Sequence, residues 1–353
     1  MFIRTQQQLK NAKIIYFTLA LLINTSLQTQ AKDTEELGDA KGIIGVQKSS
    51  EGLTGYNTKI GVVDGYFDPK SDTQNSLSKS TKRTFLGQDS QLVASKAHTR
   101  GLGDDHANHV SSIIHHIAPQ AKLRVIDMYN EPSVRDASSH NARLIAAINA
   151  AIESKVDFIN ISQRISPDSD WEGKISNDLK KAFYKARDAR IGIIKSAGND
   201  NELIGSKPYT RSLAKLLYKM QGSMIIVTAS TYDNDNQESL ALFSNKAGMA
   251  YKYTVSAPGT NILAYGASNK LVKMSGTSMA APIVTATASL LKEAYPDLSA
   301  KDILNSILRS ARKISLDQTV YFSEGKYGRG VVDFGGALLK AEKISKSKSS
   351  QLQ

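Results

Sequence analysis

Residues 158–194 read FINISQRISPDSDWEGKISNDLKKAFYKARDARIGII, and their pattern decides the fold. An apolar run (158–161, FINI) comes first. A helical segment (175–187, ISNDLKKAFYKAR) follows, with apolar residues at three- and four-residue steps and Lys, Asp and Arg on the other face. A second apolar run (191–194, IGII) closes the unit. Short apolar runs of this kind suit strands buried on both faces. The alternation continues outward. Further runs lie at 59–63 (KIGVV), 123–128 (LRVIDM), 224–227 (MIIV) and 253–256 (YTVS), and helical patterns at 142–154 and 301–311. Alternating strands and helices predict an α/β fold with a mainly parallel, doubly wound sheet and helices on both faces. Ligand sites in such sheets lie beyond the carboxyl ends of the strands.

Composition agrees with a globular chain. It has 353 residues, 41% hydrophobic and 22% charged, which excludes a disordered, collagen-like or polytopic membrane protein. There is no cysteine, hence no disulfide framework, thiol nucleophile or cysteine-ligated metal. The net charge is +12, but the basic residues are scattered, which reads as a solvated surface and predicts no nucleic-acid partner.

Residues 1–31 read as a signal peptide. Arg4, Lys10 and Lys13 precede an apolar run at 14–23 (IIYFTLALLI), and Thr29-Gln30-Ala31 supplies the small residues of a cleavage site. The run is shorter than the ~20 apolar residues of a membrane span. Export to a periplasm or the medium is expected, with no membrane attachment after cleavage. Residues 32–340 read as one domain, and the basic tail 341–353 as a frayed end.

Four segments carry the candidate chemistry. In 60–65 (IGVVDG) an apolar strand ends in Asp64, which either caps a turn or orients a histidine. In 104–110 (DDHANHV), Asp104 or Asp105 caps a helix running to Ile117, with Val110, Ile113, Ile114 and Ile117 as its buried stripe. His106 falls on that face in the first turn, directed at the sheet's end; His109 is expected to be structural, and His115 and His116 to pack or face solvent. No third ligand at helical spacing supports a zinc site. In 196–200 (SAGND), Asn199 belongs to a turn or donates to an oxyanion. In 274–282 (MSGTSMAAP) a glycine turn opens a helix apolar on all sides, with Ser278 expected as its first residue. There Ser278 is an N-cap or a nucleophile beside free N–H groups and the positive dipole end.

Asp, His, Asn and Ser occur in the chain order Asp…His…Ser of the subtilisin triad. The sequence resembles the subtilisin-like (S8) serine proteases. SGTSMAAP (275–282) matches that family's nucleophile motif almost letter for letter. VVDG (62–65) resembles its Asp motif, HANHV (106–110) its His motif and SAGN (196–199) its oxyanion segment. Ile117-Ala118-Pro119, Phe243-Ser244-Asn245, Ala257-Pro258-Gly259 and 328–333 resemble further family runs, so the resemblance spans 42–339. It implies a serine endopeptidase with Asp64, His106 and Ser278 catalytic, Asn199 in the oxyanion hole, and a protein or peptide as substrate. The substrate-binding positions it implies are Ser162, Gln163, Arg164, Ser196, Ala197 and Gly198.

The sequence departs from the pattern in places. Gly65 and Tyr66 follow Asp64, and Ala107-Asn108 follow His106. Gln163-Arg164 replace the family's Leu-Gly, so Arg164 is expected either to narrow the primary pocket or to favour acidic side chains. The helix after His106 carries no calcium-loop insertion, so that calcium site is expected to be missing, and no cofactor is implied. Residues 32–63 read mostly as lead-in to the domain, leaving no room for the family's pro-domain. A helical, lysine-containing stretch at 201–222 reads as an insertion near the primary pocket. Nothing demands more than a monomer. The alternative to a protease is a catalytically silent domain of the same fold, used as a binding module.

Overall fold

Side-chain alternation along strand β1 (Lys59–Asp64) sets the architecture. Ile60 and Val62 enter one apolar core and Val63 enters another on the opposite face. The computed structural model describes residues 52–67, 105–129, 139–166, 173–232, 238–267, 270–314 and 325–351; the signal-peptide reading and Asp104 lie outside them.

Strands β2 (Lys122–Asp127), β3 (Phe158–Ile161), β4 (Gly192–Ser196), β5 (Met224–Tyr232), β6 (Glu238–Leu240) and β7 (Thr254–Pro258) join β1 in one sheet. The order is β2-β1-β3-β4-β5-β6, with β7 also paired to β5. Every pairing is parallel except β5 with β6. Strands β8 (Ile262–Tyr265) and β9 (Leu271–Met274) form a separate antiparallel pair. The expected doubly wound sheet is present. Strand β5 runs five residues past its expected end. Its continuation, Thr228 to Tyr232, carries hydroxyls that interrupt the apolar run in the sequence. Thr228 and Ser230 are nonetheless buried, hydrogen-bonded to Ser256 and Glu238.

The helices are α1 (His106–Ile117), α2 (His140–Glu153), α3 (Asn177–Asp188), α4 (Pro208–Met220), α5 (Thr277–Ala294), α6 (Ala300–Ser310) and α7 (Phe334–Gln351). Serines punctuate three starts: Ser139, Ser176 and Ser299 each accept a first-turn N–H at 3.2 Å. Helices α1, α5, α6 and α7 pack on the face of Ile60 and Val62, and α2, α3 and α4 on the face of Val63. The stretch expected as an insertion at 201–222 supplies α4.

The C-terminal segment corrects the expectation of a frayed end. Helix α7 continues to Gln351, and Lys348 Nζ reaches Asp302 Oδ2 at 2.6 Å. Phe334, Ala337 and Ala341, at helical spacing, dock its first half in the core. The lysines beyond follow a helix already nucleated.

The chain moves from β1 to β2 on one side and returns to β3 on the other, so the strand order reverses direction between β1 and β3. A doubly wound sheet opens its ligand crevice at such a switch point. Among the described residues no helix is long and apolar enough to cross a membrane.

Candidate active site

Asp64 is the last residue of β1 and has no exposed surface. Alternation after Ile60 and Val62 turns its carboxylate toward α1 and α5. The same rule applies on β3, where Asn160 and then Ser162 turn toward α5. Asn160 Oδ1 accepts from Thr285 Oγ1 at 2.9 Å, and Asn160 Nδ2 donates to Ser162 Oγ at 3.0 Å.

His106 opens α1. Its Nδ1–H donates to both Asp64 oxygens, each at 2.9 Å. Gly65 N–H donates to Asp64 Oδ1 at 2.8 Å. This arrangement fixes the tautomer and leaves Nε2 bearing the lone pair. Among the described residues Nε2 makes no hydrogen bond. Burial, the largest single influence, pushes the imidazole's pKa down. The Asp64 charge and hydrogen bond together outweigh it, so the pKa ends above its ordinary value. Asp105 precedes α1 as expected, but its side chain does not cap the helix; Oδ1 instead accepts Ala267 N–H at 2.6 Å.

Helix α5 begins at Thr277, with Gly276 as its N-cap, so Ser278 is the second helical residue rather than the first. From Thr277 to Leu291, Ser278 alone is not buried. Pro282 stands four residues later and has no N–H, so the Ser278 carbonyl has no helical donor. Ser162 Oγ fills the vacancy at 2.9 Å. In return Ser278 Oγ donates to the Ser162 carbonyl at 3.2 Å. The hydroxyl sits where free N–H groups and the helix dipole favour negative charge.

Asn199 faces the start of the same helix. Its Oδ1 accepts from Thr277 N and Thr277 Oγ1, both at 2.9 Å. A backbone N–H can bond only the amide oxygen, so the NH₂ group points away from the helix. Thr277 Oγ1 accepts Gly198 N–H at 3.1 Å. Asn245 shapes the loop from behind: Nδ2 donates to the Ala197 carbonyl at 3.0 Å, and Oδ1 accepts Asp200 and Glu202 N–H at 3.0 and 2.9 Å. Gly198 has φ +106°, and a Cβ there would stand 2.4 Å from Asn245 Nδ2, so only glycine fits.

The carboxylate–imidazole pair thus lies at the end of β1, and Ser162, at the neighbouring end of β3, holds the start of the helix that carries the Ser278 hydroxyl and meets the oriented amide. A family model of the subtilase family matches residues 55–330. The chain belongs to the subtilase family. It is 25% identical over 297 residues to subtilisin DY of Bacillus licheniformis, covering 82% of this chain and 93% of that one. It is 26% identical over 301 residues to the major intracellular serine protease of Bacillus subtilis strain 168, covering 82% and 88%. Among solved structures, the patellamide maturation protease PatA superposes with TM-score 0.58 at 22% identity, over 82% of this chain and 98% of that one, which shows a shared fold. As a subtilase the protein is a serine endopeptidase, a hydrolase of peptide bonds.

The side chains expected to bind substrate are mostly committed inward in this subtilase. Ser162 serves α5. Ser196 Oγ donates to the Ile161 carbonyl at 3.4 Å. Ala197 is buried, and Gly198 is held by Thr277 and Asn245. Gln163 Nε2 donates to Asp64 Oδ1 rather than lying open to a ligand. Arg164 is exposed, and its carbonyl accepts from His140 Nε2 at 2.8 Å. The family resemblance places Gln163 among the substrate-binding positions and gives no signal of its bond to Asp64, because leucine stands there in the family pattern. Thr277 and Asn245 were visible only as letters within SGTS and FSN.

His109 is structural, as expected. It is fully buried, and Nε2 lies 3.0 Å from the Ile262 carbonyl and 3.1 Å from that of Val272, tying α1 to the β8–β9 pair. Burial pushes its pKa down to about 4. His115 is buried and His116 half-buried on the same helix. Helix α1 runs without interruption from His106 to Ile117. Among the described residues no three His, Asp or Glu side chains gather as a metal-ligand set. Lys195, beyond the sheet from Ser278, is buried with Nζ on the Ser196 carbonyl at 2.8 Å; burial lowers its pKa to about 8. On the rim, Tyr66 stacks on Tyr129 at 4.6 Å, and the Arg143 guanidinium lies 5.1 Å from the Tyr129 ring centre. A Cβ on Gly65 would come within 2.6 Å of Tyr129, so glycine there lets the plate close onto the end of β1.

Proposed function

We propose that this subtilase is an exported endopeptidase that cleaves proteins or peptides through an acyl-enzyme on Ser278, acting as a monomer whose chemistry is carried by its own side chains and backbone amides. The observation that carries the triad is His106 Nδ1 held 2.9 Å from both oxygens of a fully buried Asp64. Ser278 Oγ attacks the peptide carbonyl. To do so it rotates away from the Ser162 carbonyl, and its proton passes to His106 Nε2. Asp64 holds the tautomer and stabilises the imidazolium. The oxyanion forms beside the Asn199 NH₂ group and the Ser278 N–H. Collapse of the intermediate returns the proton from His106 to the leaving amine. Water then repeats the cycle to release the acyl group. Export is supported by the positive and apolar run before Ala31. The exposed arginine of the substrate strand supports a preference for acidic side chains near the cut.

Labelling of the purified protein with a fluorophosphonate probe tests the nucleophile. Labelling of the natural chain and none of Ser278→Ala is expected. A folded natural chain that takes up no probe would instead favour the silent binding module.

A further inference from the structure

We propose that Gln163 is a positioning residue of the triad, whose side-chain amide completes the set of donors that hold the Asp64 carboxylate against His106. The inference rests on the Asp64–His106–Ser278 reading and adds a member that acts through Asp64.

Three observations carry it. The register pairs Val63 with Ile161 on adjacent parallel strands, so Asp64 and Ser162 emerge side by side and Gln163 leads the next step. Strands stand roughly 4.8 Å apart, a gap that a glutamine side chain bridges. Gln163 Nε2 does bridge it, donating to Asp64 Oδ1. Oδ1 thereby serves Gly65 N–H, His106 Nδ1–H and the Gln163 amide, while Oδ2 serves His106. A fully buried carboxylate needs such donors, and each also fixes its rotation about the Cβ–Cγ bond. The leucine of the family pattern cannot donate.

The consequence for His106 has a definite sign. A neutral donor on Oδ1 draws electron density from the carboxylate and weakens its pull on the imidazolium. Without that donor, Asp64 attracts the imidazolium more strongly, and His106 becomes easier to protonate. The other charged and titratable groups around the pair stay in place. They are Asp105 just before α1, His109 on α1, Tyr66 after β1, Asp127 and Tyr129 at and just past the end of β2, and Arg143 on α2 over Tyr129.

The test compares the full-length natural protein with Gln163→Met, which keeps the length and loses the donor, using kcat and KM on a fluorogenic peptide across pH. Gln163→Met is expected to lower kcat about tenfold with KM within about twofold. The acidic limb of kcat/KM should move to higher pH. A Gln163→Met protein with unchanged kcat and pH limb and a raised KM would overturn the proposal, because Gln163 would then be a substrate contact. Should Gln163→Met fold poorly, the His106 titration followed by NMR in Gln163→Leu decides. An upward midpoint supports the role, and an unmoved one overturns it. Fluorophosphonate labelling of the natural protein, run alongside, separates failure of this inference from failure of the triad itself.

Discussion

Ser162 Oγ donates to the Ser278 carbonyl at 2.9 Å, at the one carbonyl of the α5 first turn that Pro282 leaves without a helical partner. The proline therefore ties the helix bearing Ser278 to the end of β3. Ser162→Ala strips that carbonyl of its donor and is expected to destabilise the fold by about 1 kcal/mol. Pro282→Ala supplies an N–H, so Ser162→Ala should cost less in that background. A double-mutant cycle by urea denaturation measures the difference, and full additivity of the two changes would count against this account.

Asn199 is oriented by Thr277. Asn199→Ala is expected to lower kcat by about 10²–10³, the magnitude associated with the corresponding amide of subtilisin and taken over from it. Thr277→Val keeps the backbone donor to Asn199 Oδ1 and removes the hydroxyl that bonds both Asn199 and Gly198. A smaller loss, about tenfold, follows, with KM little changed. Steady-state kinetics on one peptide compares the two, and equal losses would show that Thr277 does more than orient the amide.

In the proposed mechanism the acid limb of activity belongs to His106. Catalysis needs its neutral form, and its pKa lies above the ordinary 6.5 because the Asp64 charge and hydrogen bond outweigh burial. The kcat/KM profile should thus rise through a midpoint above 6.5. In Asp64→Asn the raising charge vanishes and only a neutral amide is left to meet the imidazole while burial remains, so the midpoint should fall below 6.5 along with a large loss of rate. A profile of kcat/KM against pH for both proteins checks this.

His109 makes stability depend on acid. Its folded pKa of about 4 lies below the ordinary 6.5, so the unfolded chain binds the extra proton first. Stability from this group is complete above pH 6.5 and is lost as pH falls toward 4, by up to about 3 kcal/mol. Chemical denaturation at pH 7 and pH 4.5 should show the loss. His109→Gln keeps an N–H donor for the Ile262 and Val272 carbonyls, and it should flatten the pH dependence.

Arg164 is expected to bias cleavage. It is exposed three residues past the end of β3, where the family pattern has glycine. A peptide-library profile should show Asp or Glu enriched before the cut, and Arg164→Gly should erase the enrichment. A flat profile in the natural protein would dismiss the arginine as a selector.

The alternation of 158–194 and the motif letters around Asp64, His106, Asn199 and Ser278 determined the sheet class and the chemical groups by themselves. Apolar periodicity and glycine turns are local, and local patterns survive in one dimension. The same locality misled where polar residues were involved. Thr228 and Ser230 of β5 broke an apolar run yet lie buried in paired strands. The lysine-rich end of α7 looked like a frayed tail yet continues a docked helix, its lysines still largely facing solvent. Gln163, Thr277, Asn245 and Pro282 owe their roles to partners far away in the chain: Asp64, Asn199, the 197–202 loop and Ser162. No spacing rule encodes these pairings. Hydrogen bonds are short and directional, and only the register of β1, β3 and β4, with α5 packed across them, decided which donor met which acceptor.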